Sequence, residues 1–466
     1  MLQKKKRTFV LLPPAAVFLP LSWPAGSLFT FHKQDDPMRI LHTADWHLGN
    51  TFHGHSRTGD HRHFLSWLLG VIDQNRPDAL IVSGDIFDNA NPAATAEHLF
   101  YDFLDEATAR APQMQTVIIA GNHDGAARLE APADLLRRHN VYLRGTIRRT
   151  ADGEVDFDHY ILPLCHADGD SEARVVCLAV PFLRPADYPQ GLTPGAGMAW
   201  FMSHLKRRLA ESPFAALPIV TAAHFYAAGA EVCENEHSER LVVGGQECIS
   251  PDQAACGAVY TALGHLHKAQ RVGQGQQAVH YAGSALPMSF AEKNYRHGVN
   301  MVSIDADGAC RVERIEYHPQ RLLMSIPGRG AALPADVLAG IQRLPERTAD
   351  DDGQTWPYLE IRVHEQQPQP TLMREVREAL ATRAALFCRM VREGAPLTDD
   401  DDAADDGYGL PQRLEQLTPE DLAQHVFRQR YSQPMPEPMR NRLTKAYERA
   451  AHDGDDSLDS TPDISL

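Results

Sequence analysis

The sequence predicts a layered α/β domain, followed by a small α+β unit and C-terminal helices. From Met38 to about residue 318, short apolar runs alternate with amphipathic stretches, the pattern of strands covered by helices. The Pro- and Gly-containing stretch "HPQRLLMSIPGRG" at 318–330 interrupts that alternation and reads as a boundary. Further on, Asp399 to Asp402 with Asp405 and Asp406 form an acidic run, the composition of a solvated linker.

Size and composition agree with this division. A chain of 466 residues exceeds one ordinary domain, and 43% hydrophobic with 23% charged residues is a normal globular mix. The net charge of −16, taken alone, argues against a nucleic-acid partner. However, the acidic residues are clustered, and binding depends on the local potential of one face. The seven cysteines include no CxxC pair, so they read as reduced thiols of a cytosolic protein and not as a disulfide framework.

In chain order, residues 1–37 come first. Lys4 to Arg7 precede an apolar run that resembles a signal peptide, but Pro13, Pro14, Pro20 and Pro24 interrupt it and make it a poor membrane helix. The reading adopted is a disordered leader or start-site artefact, with Met38 as the working start. A first strand begins there, and "ALIVSGD", "TVIIAGNHD", "VVCLAVPF", "PIVTAAHF", "VYTALGHLH", "AVHYAGS" and "GVNMVSID" follow as buried strands. Helices are predicted over 61–74 and 95–110. The strands from about 258 onward succeed one another closely, which predicts antiparallel pairing. A main domain over 38–320 results.

Residues 325–395 form the α+β unit, with helices over 333–344 and 371–392 and "YLEIRVHE" as a strand between them. The linker spans 396–409. In the helical region 410–452, Thr418 is an N-cap, Pro419 suits the first helical position and Asp421 completes a capping-box-like pattern. Leu422, Val426 and Phe427 share one face of that helix, and a second helix covers 437–451. Residues 453–466 read as a disordered tail.

The chemistry lies at strand ends. One strand runs into Asp45 and His47, the next into Gly84, Asp85 and Asp88, and a third into Gly121, Asn122, His123 and Asp124. Later ones end in His224, and in Gly264, His265 and His267. Ligands converge at such ends in open α/β folds, and glycine lets the backbone turn sharply there. Residues two apart on a continued strand point to one side, so Asp45 with His47, and His265 with His267, are expected to reach one point. A donor set of Asp, Asn and His without cysteine suits two divalent cations, manganese first among them. Asp85 is the candidate bridging carboxylate. Ions about 3.5–4 Å apart clamp a phosphate and activate water. Any one of these motifs alone is weak, whereas five in order are specific. Trp46 reads as packing. His53, His55, His61 and His63 read as a solvated loop and helix start, with Arg57 and His61 the candidates there to face substrate.

The order DxH, GDxxD, GNHD, a lone His and GHxH resembles that of the calcineurin-like metallophosphoesterases. "MRILHTADWHLGN", "SGDIFDNANP", "AGNHDG", "VPFLRP", "ALGHLHKAQ" and "YAGSALPMSF" resemble one branch more closely, the SbcD-type nucleases of bacterial SbcCD complexes, related to the Mre-type repair nucleases. The resemblance covers most of 38–320 and is mainly architectural from 320 to 452. It implies a four-layer α-β-β-α sandwich with a capping domain over 325–395. Asp45, His47, Asp85 and His267 would bind one metal, and Asp85, Asn122, His224 and His265 the other, Mn2+ being the expected ion. His123 would act as the catalytic imidazole, oriented by Asp88. Ala223 stands before His224 where the family often has glycine.

The activity implied is double-strand exonuclease and hairpin or single-strand endonuclease cleavage in DNA repair and recombination. The C-terminal helices would dock on an SbcC-type ABC ATPase, and the chain would form a homodimer within a heterotetramer, cytoplasmic and without a membrane segment. Two other readings stay open, a stand-alone small-molecule phosphodiesterase and a non-catalytic scaffold that binds DNA ends. A DNA substrate further requires a neutral or basic rim around the metal cleft, with the acidic excess in the linker and tail.

Overall fold

The computed structural model of the chain describes residues 36–169, 171–231, 249–275, 278–348, 350–365, 369–394, 435 and 439–440. The leader up to residue 35, the acidic linker, the tail and the helix carrying Leu422, Val426 and Phe427 lie outside the described residues. The chain divides into two units, the first ending at Gly394, and the elements below belong to that first unit.

Two six-stranded sheets form its centre. From edge to edge the first holds β14 (Cys310–Glu316), β13 (Gly298–Ile304), β1 (Met38–Thr43), β4 (Ala79–Ser83), β5 (Gln115–Ile119) and β6 (Val141–Arg144). The second holds β11 (Gln270–Val272), β12 (Val279–Tyr281), β10 (Tyr260–Gly264), β9 (Ile219–His224), β8 (Ala173–Ala179) and β7 (Ile161–Cys165). The middle strands of each sheet run parallel, and antiparallel pairs occur toward the edges.

The central strands, such as β4, β5, β9 and β10, are apolar on both faces because both faces are covered. Along β4, Ala79 and Ile81 enter the core between the sheets, together with Val117, Val220 and Ala262. Leu80 and Val82, which point the other way, pack with Phe64 and Leu68 of α1 (Thr58–Asn75) and Phe100 of α2 (Ala94–Arg110). The outer face of the second sheet packs Val176 and Leu178 on Phe201 and Leu205, which lie on α5 (Pro194–Ala210). Short helices α3 (Ala126–Glu130), α4 (Ala133–Leu136) and α6 (Pro251–Ala255) fill the connections. The order is therefore helix, sheet, sheet, helix, as expected from the sequence. Trp46 is fully buried among Phe64, Phe100 and Phe103.

A separate three-stranded parallel sheet follows, with β15 (Leu323–Ile326), β16 (Tyr358–Glu365) and β17 (Leu386–Gly394). Helices α7 (Pro334–Gln342) and α8 (Leu372–Leu380) cover one face through Val337, Ile341, Leu372 and Val376. Two expectations are corrected here. The helix predicted over 371–392 stops at Leu380, because the apolar run that follows pairs with β16 as a strand. A helical period and a strand period are hard to separate where the apolar residues are continuous. Pairing after residue 258 is also mixed: β10 and β12 run parallel, whereas β11–β12 and β13–β14 run antiparallel.

The His-rich stretch is likewise less solvated than its composition suggests. A two-stranded ribbon, β2 (Thr51–Phe52) and β3 (His55–Ser56), places His55 Nε2 2.9 Å from the Phe387 carbonyl of β17. Arg57 is 1% exposed and His61 fully buried, so neither faces substrate. The Arg57 guanidinium donates to the Pro287 carbonyl at 2.6 Å and pairs with Asp60, and it lies over the rings of Phe52 and Tyr358. The Tyr358 hydroxyl in turn donates to Asp60 at 2.8 Å. The first turn of α1 is thus a seat for the small sheet. Among the described residues no helix is long and apolar enough to cross a membrane.

The sheet-to-sheet core should carry the stability of this unit. We expect Ile81→Ala to lower the unfolding free energy by about 2–5 kcal/mol. Leu135→Ala, at a side chain exposed to solvent, should stay within about 0.5 kcal/mol of wild type. Chemical denaturation followed by circular dichroism tests both.

Candidate metal centre

The C-terminal ends of β1, β4 and β5 in one sheet meet those of β9 and β10 in the other, and every metal-ligating side chain singled out in the sequence comes to that junction. Among the described residues, Asp45, His47 and His267 form one buried group of donors and Asp45, Asp85 and His224 another, each with ligand atoms within 4.8 Å of one another. Asp85 Oδ2 lies 3.7 Å from His47 Nε2 and 3.4 Å from His224 Nε2, between the two groups. Asp45 belongs to both, a shared position that the sequence reading gave to Asp85 alone. Asn122 joins through Oδ1, 2.9 Å from His224 Nε2 and 3.1 Å from His265 Nδ1.

The convergence has a different cause from the one expected. β1 ends at Thr43 and β10 at Gly264, so strand alternation does not align the pairs. Instead Asp45, His47, Asp85 and His265 all take positive φ, at 51°, 47°, 49° and 99°. Such backbone costs a non-glycine residue about 1–3 kcal/mol and persists only where surrounding structure enforces it. Main-chain hydrogen bonds do so: the exits of β1 and β4 stay paired past the strand ends, from Asp45 N to Gly84 O, His47 N to Asp85 O and Leu48 N to Ile86 O. The buried Asp124 carboxylate accepts the N–H groups of Ile86, Phe87 and Gly121, which ties the second and third strand ends together.

Two of the glycines here are required by space and not by turning. A Cβ on Gly264 would lie 1.9 Å from the Ser83 carbonyl, and one on Gly121 would lie 2.1 Å from Asp85 Oδ1. At Gly264 the second sheet lies too close to the first for a Cβ, and at Gly121 the loop after β5 lies too close to the Asp85 loop after β4.

Buried donors without partners show what the site can hold. Asp45 Oδ2 and both ring nitrogens of His47 are buried and lack a hydrogen-bond partner, a state that costs about 1–3 kcal/mol per group. His224 directs Nδ1 at the Ser83 carbonyl, 2.8 Å away, which leaves Nε2 for the site and fixes its tautomer. A hard-to-borderline divalent cation satisfies such oxygen and imidazole donors, so the residues fit a pair of metal ions.

The electrostatics fit as well. Burial raises the Asp45 carboxyl to about 7 against the pull of His224 and His267. Burial also opposes ionisation of Asp85, yet the His224 and His47 imidazoles hold it well below the usual carboxylate range. Against its own burial, His224 is raised to about 9 by Asp85 and Asp45. Burial keeps His47 and His265 neutral, the latter at about 3.

His123 differs from the ligands in being exposed. Its backbone N–H donates to Asp85 Oδ1 at 2.9 Å. Its ring Nδ1 lies 2.8 Å from the main-chain carbonyl of Asp88. Orientation by Asp88 therefore comes through the backbone and not, as expected, through the carboxylate, which instead accepts from Asn50 at 2.9 Å and lies 3.7 Å from His47 Nδ1. Sequence reading missed two participants. Asp124 stood within a quoted motif but was given no role. Glu292 lies 3.3 Å from His267 Nδ1, and its only sequence signal is a carboxylate in the mostly apolar "ALPMSFAEK".

Filling the site must displace protons from Asp45 and His224. We expect Mn2+ binding at pH 7 to release about one to two protons and the affinity to fall as pH drops from 8 to 6. Calorimetry in buffers of different ionisation enthalpy measures the release. Binding without proton release would contradict these electrostatics.

Comparison with known proteins agrees with the geometry. A calcineurin-like phosphoesterase model matches residues 38–179, and one described as a type 5 capsule protein repressor C-terminal domain matches 319–431. The SbcD component of the SbcCD nuclease of Rhodobacter capsulatus is 35% identical over 402 residues, which is 84% of this chain and 94% of that protein. Its counterpart in Escherichia coli K12 is 31% identical over 314 residues, covering 64% of this chain and 73% of that one. The Bacillus subtilis counterpart is 33% identical over 270 residues, covering 57% and 66%. On this sandwich, this donor cluster and these relatives, the chain belongs to the SbcD family of SbcCD nuclease components, which are phosphodiester hydrolases with a calcineurin-like phosphoesterase domain.

Proposed function

We propose that the chain is a two-metal DNA nuclease that cuts duplex ends and hairpins, with Mn2+ as its ion. The observation that carries this reading is the exposed His123 imidazole set at the edge of a buried donor cluster in which Asp45 Oδ2 and both His47 ring nitrogens lack hydrogen-bond partners. Asp45, His47, Asp85 and His267 would hold one ion, and Asp85, Asn122, His224 and His265 the other. Ions bound there would supply Lewis-acid polarisation of a phosphodiester and activation of water. The chain's own contribution is positional. The glycine-lined junction holds the donors together, burial excludes water from them, and the Asp88 carbonyl accepts from His123 Nδ1–H. In its doubly protonated form, His123 would then present Nε2–H to hand a proton to, or hydrogen-bond, the leaving oxygen.

A polynucleotide substrate is supported by the surface beside His123. A groove continuing from Asp124 and Gly125 is lined by Asn91, Arg128, Thr146, Arg184 and Asp187. Two guanidinium groups there favour phosphate over bulk solvent, although Arg128 also pairs with Glu97 at 3.2 Å. Relatives that belong to SbcCD nucleases support an SbcC-type ABC ATPase as partner. We extend this to a homodimer within a heterotetramer, to a cytoplasmic, nucleoid-associated location, and to residues 325–395 acting as a cap over the cleft. Residues 396–409 and 410–452 would then be the linker and the partner-docking helices.

The test is cleavage of a labelled duplex and a hairpin with Mn2+, with and without the ATPase partner and ATP. His123→Ala should lose roughly 10²–10⁴ in rate while binding Mn2+ as wild type does. Asp88→Asn retains the carbonyl that holds His123 and should lose far less. Turnover of a small phosphodiester without any DNA cleavage would move the protein to the small-molecule class. Mn2+-bound protein that binds DNA ends and cleaves nothing would make it a scaffold.

A further inference from the structure

Glu292 is a carboxylate, 2% exposed, that the reading above leaves unused. One of its oxygens lies 3.3 Å from His267 Nδ1, and the other accepts the Met288 N–H at 2.8 Å. An imidazole that donates Nδ1–H to a carboxylate presents Nε2 on the opposite side, with its tautomer and ring plane fixed. Here that side faces Asp45 and His47, whose ligand atoms lie within 4.8 Å.

The short helical turn that carries Glu292, Phe290–Asn294, is gripped from its other side by all three strands of the small sheet. Lys293 Nζ donates to Ser325 Oγ of β15 at 3.0 Å. The Phe290 ring packs in one cluster with Tyr358 of β16. The Arg389 guanidinium of β17 lies 5.2 Å from the Phe290 ring centre. Ser325 and Arg389 both bond Glu360, so the grip is itself cross-braced. One turn therefore touches a metal-ligating histidine on one side and the small sheet on the other.

We propose that Glu292 is a positioning residue for His267, and that the small sheet, by holding turn 290–294, sets how His267 is presented to the metal. The inference rests on the metal reading above. Removing a carboxylate that orients a ligating histidine weakens metal binding about 10- to 100-fold. In the full-length chain, Mn2+ titrations followed by electron paramagnetic resonance should show one of two ions weakened by that factor in Glu292→Ala. Glu292→Gln, which still accepts from Nδ1–H, should recover most of the affinity. At saturating Mn2+, kcat should return to within a few-fold of wild type, so that metal demand and turnover separate. Tyr358→Leu, far from every ligand in sequence, should weaken the same ion in the same direction.

Unchanged Mn2+ affinity in Glu292→Ala, with the fold intact by circular dichroism, would overturn the proposal. If that variant does not fold, Glu292→Gln decides. A lower Tm with wild-type Mn2+ affinity would mean that Glu292 only braces its turn. Unchanged affinity in Tyr358→Leu would overturn the part given to the small sheet. Wild type that binds no Mn2+ would instead sink the metal reading itself.

Discussion

Acids and imidazoles buried side by side, several of their donor atoms unmatched, govern how this molecule is built. Asp45, Asp85, His47 and His224 are all buried, and several donor atoms of Asp45 and His47 meet no hydrogen-bonding partner. In water-free surroundings such groups would repel or take up protons, so they can be held together only by a frame stiffer than they are. The two largely parallel sheets provide it. Their strand ends project five loops to one point, and main-chain bonds beyond the strands keep those loops from relaxing. The left-handed backbone at four of the candidate donors is the residual cost, and its concentration in the donor cluster follows the general pattern of stored strain.

The same demand explains the glycines. Gly264, at the end of β10, meets the Ser83 carbonyl of the other sheet, and Gly121, after β5, meets the Asp85 carboxylate after the neighbouring β4. The first is small so that the second sheet can reach the first, and the second so that two adjacent loops of one sheet can close on each other. Asp124 adds a carboxylate to the frame without entering the site. Its three accepted N–H bonds hold the Asp85 loop against the loop that carries Asn122 and His123.

The exposed and buried parts of the centre divide the chemistry. The candidate ligands Asp45, His47, Asp85, His224 and His267 are buried, with His224 set by the Ser83 carbonyl and His267 beside the Glu292 carboxylate. His123 stands at the surface, with its backbone tied to Asp85 and its ring to the Asp88 carbonyl. A group placed in this way is open to solvent where the buried donors are not. Turn 290–294 joins His267 to the small sheet, so that sheet is linked to the donor cluster through this turn.

Read locally, the chain already discloses the layered α/β class and the strand ends that carry Asp45, His47, Asp85, Asn122, His224, His265 and His267. Apolar runs that stop at Gly, Asp or His leave a signature that needs no distant partner to be seen. The way those residues converge is settled only in three dimensions. The left-handed turns depend on bonds between strands far apart in the chain, which no local period records. The same holds for the strand at 386–394, the burial of Arg57 and His61, the carbonyl of Asp88 and the partnership of Glu292 with His267. Each depends on a neighbour remote in the chain, and a side chain's partner across such a distance is set by packing and not by its flanking residues.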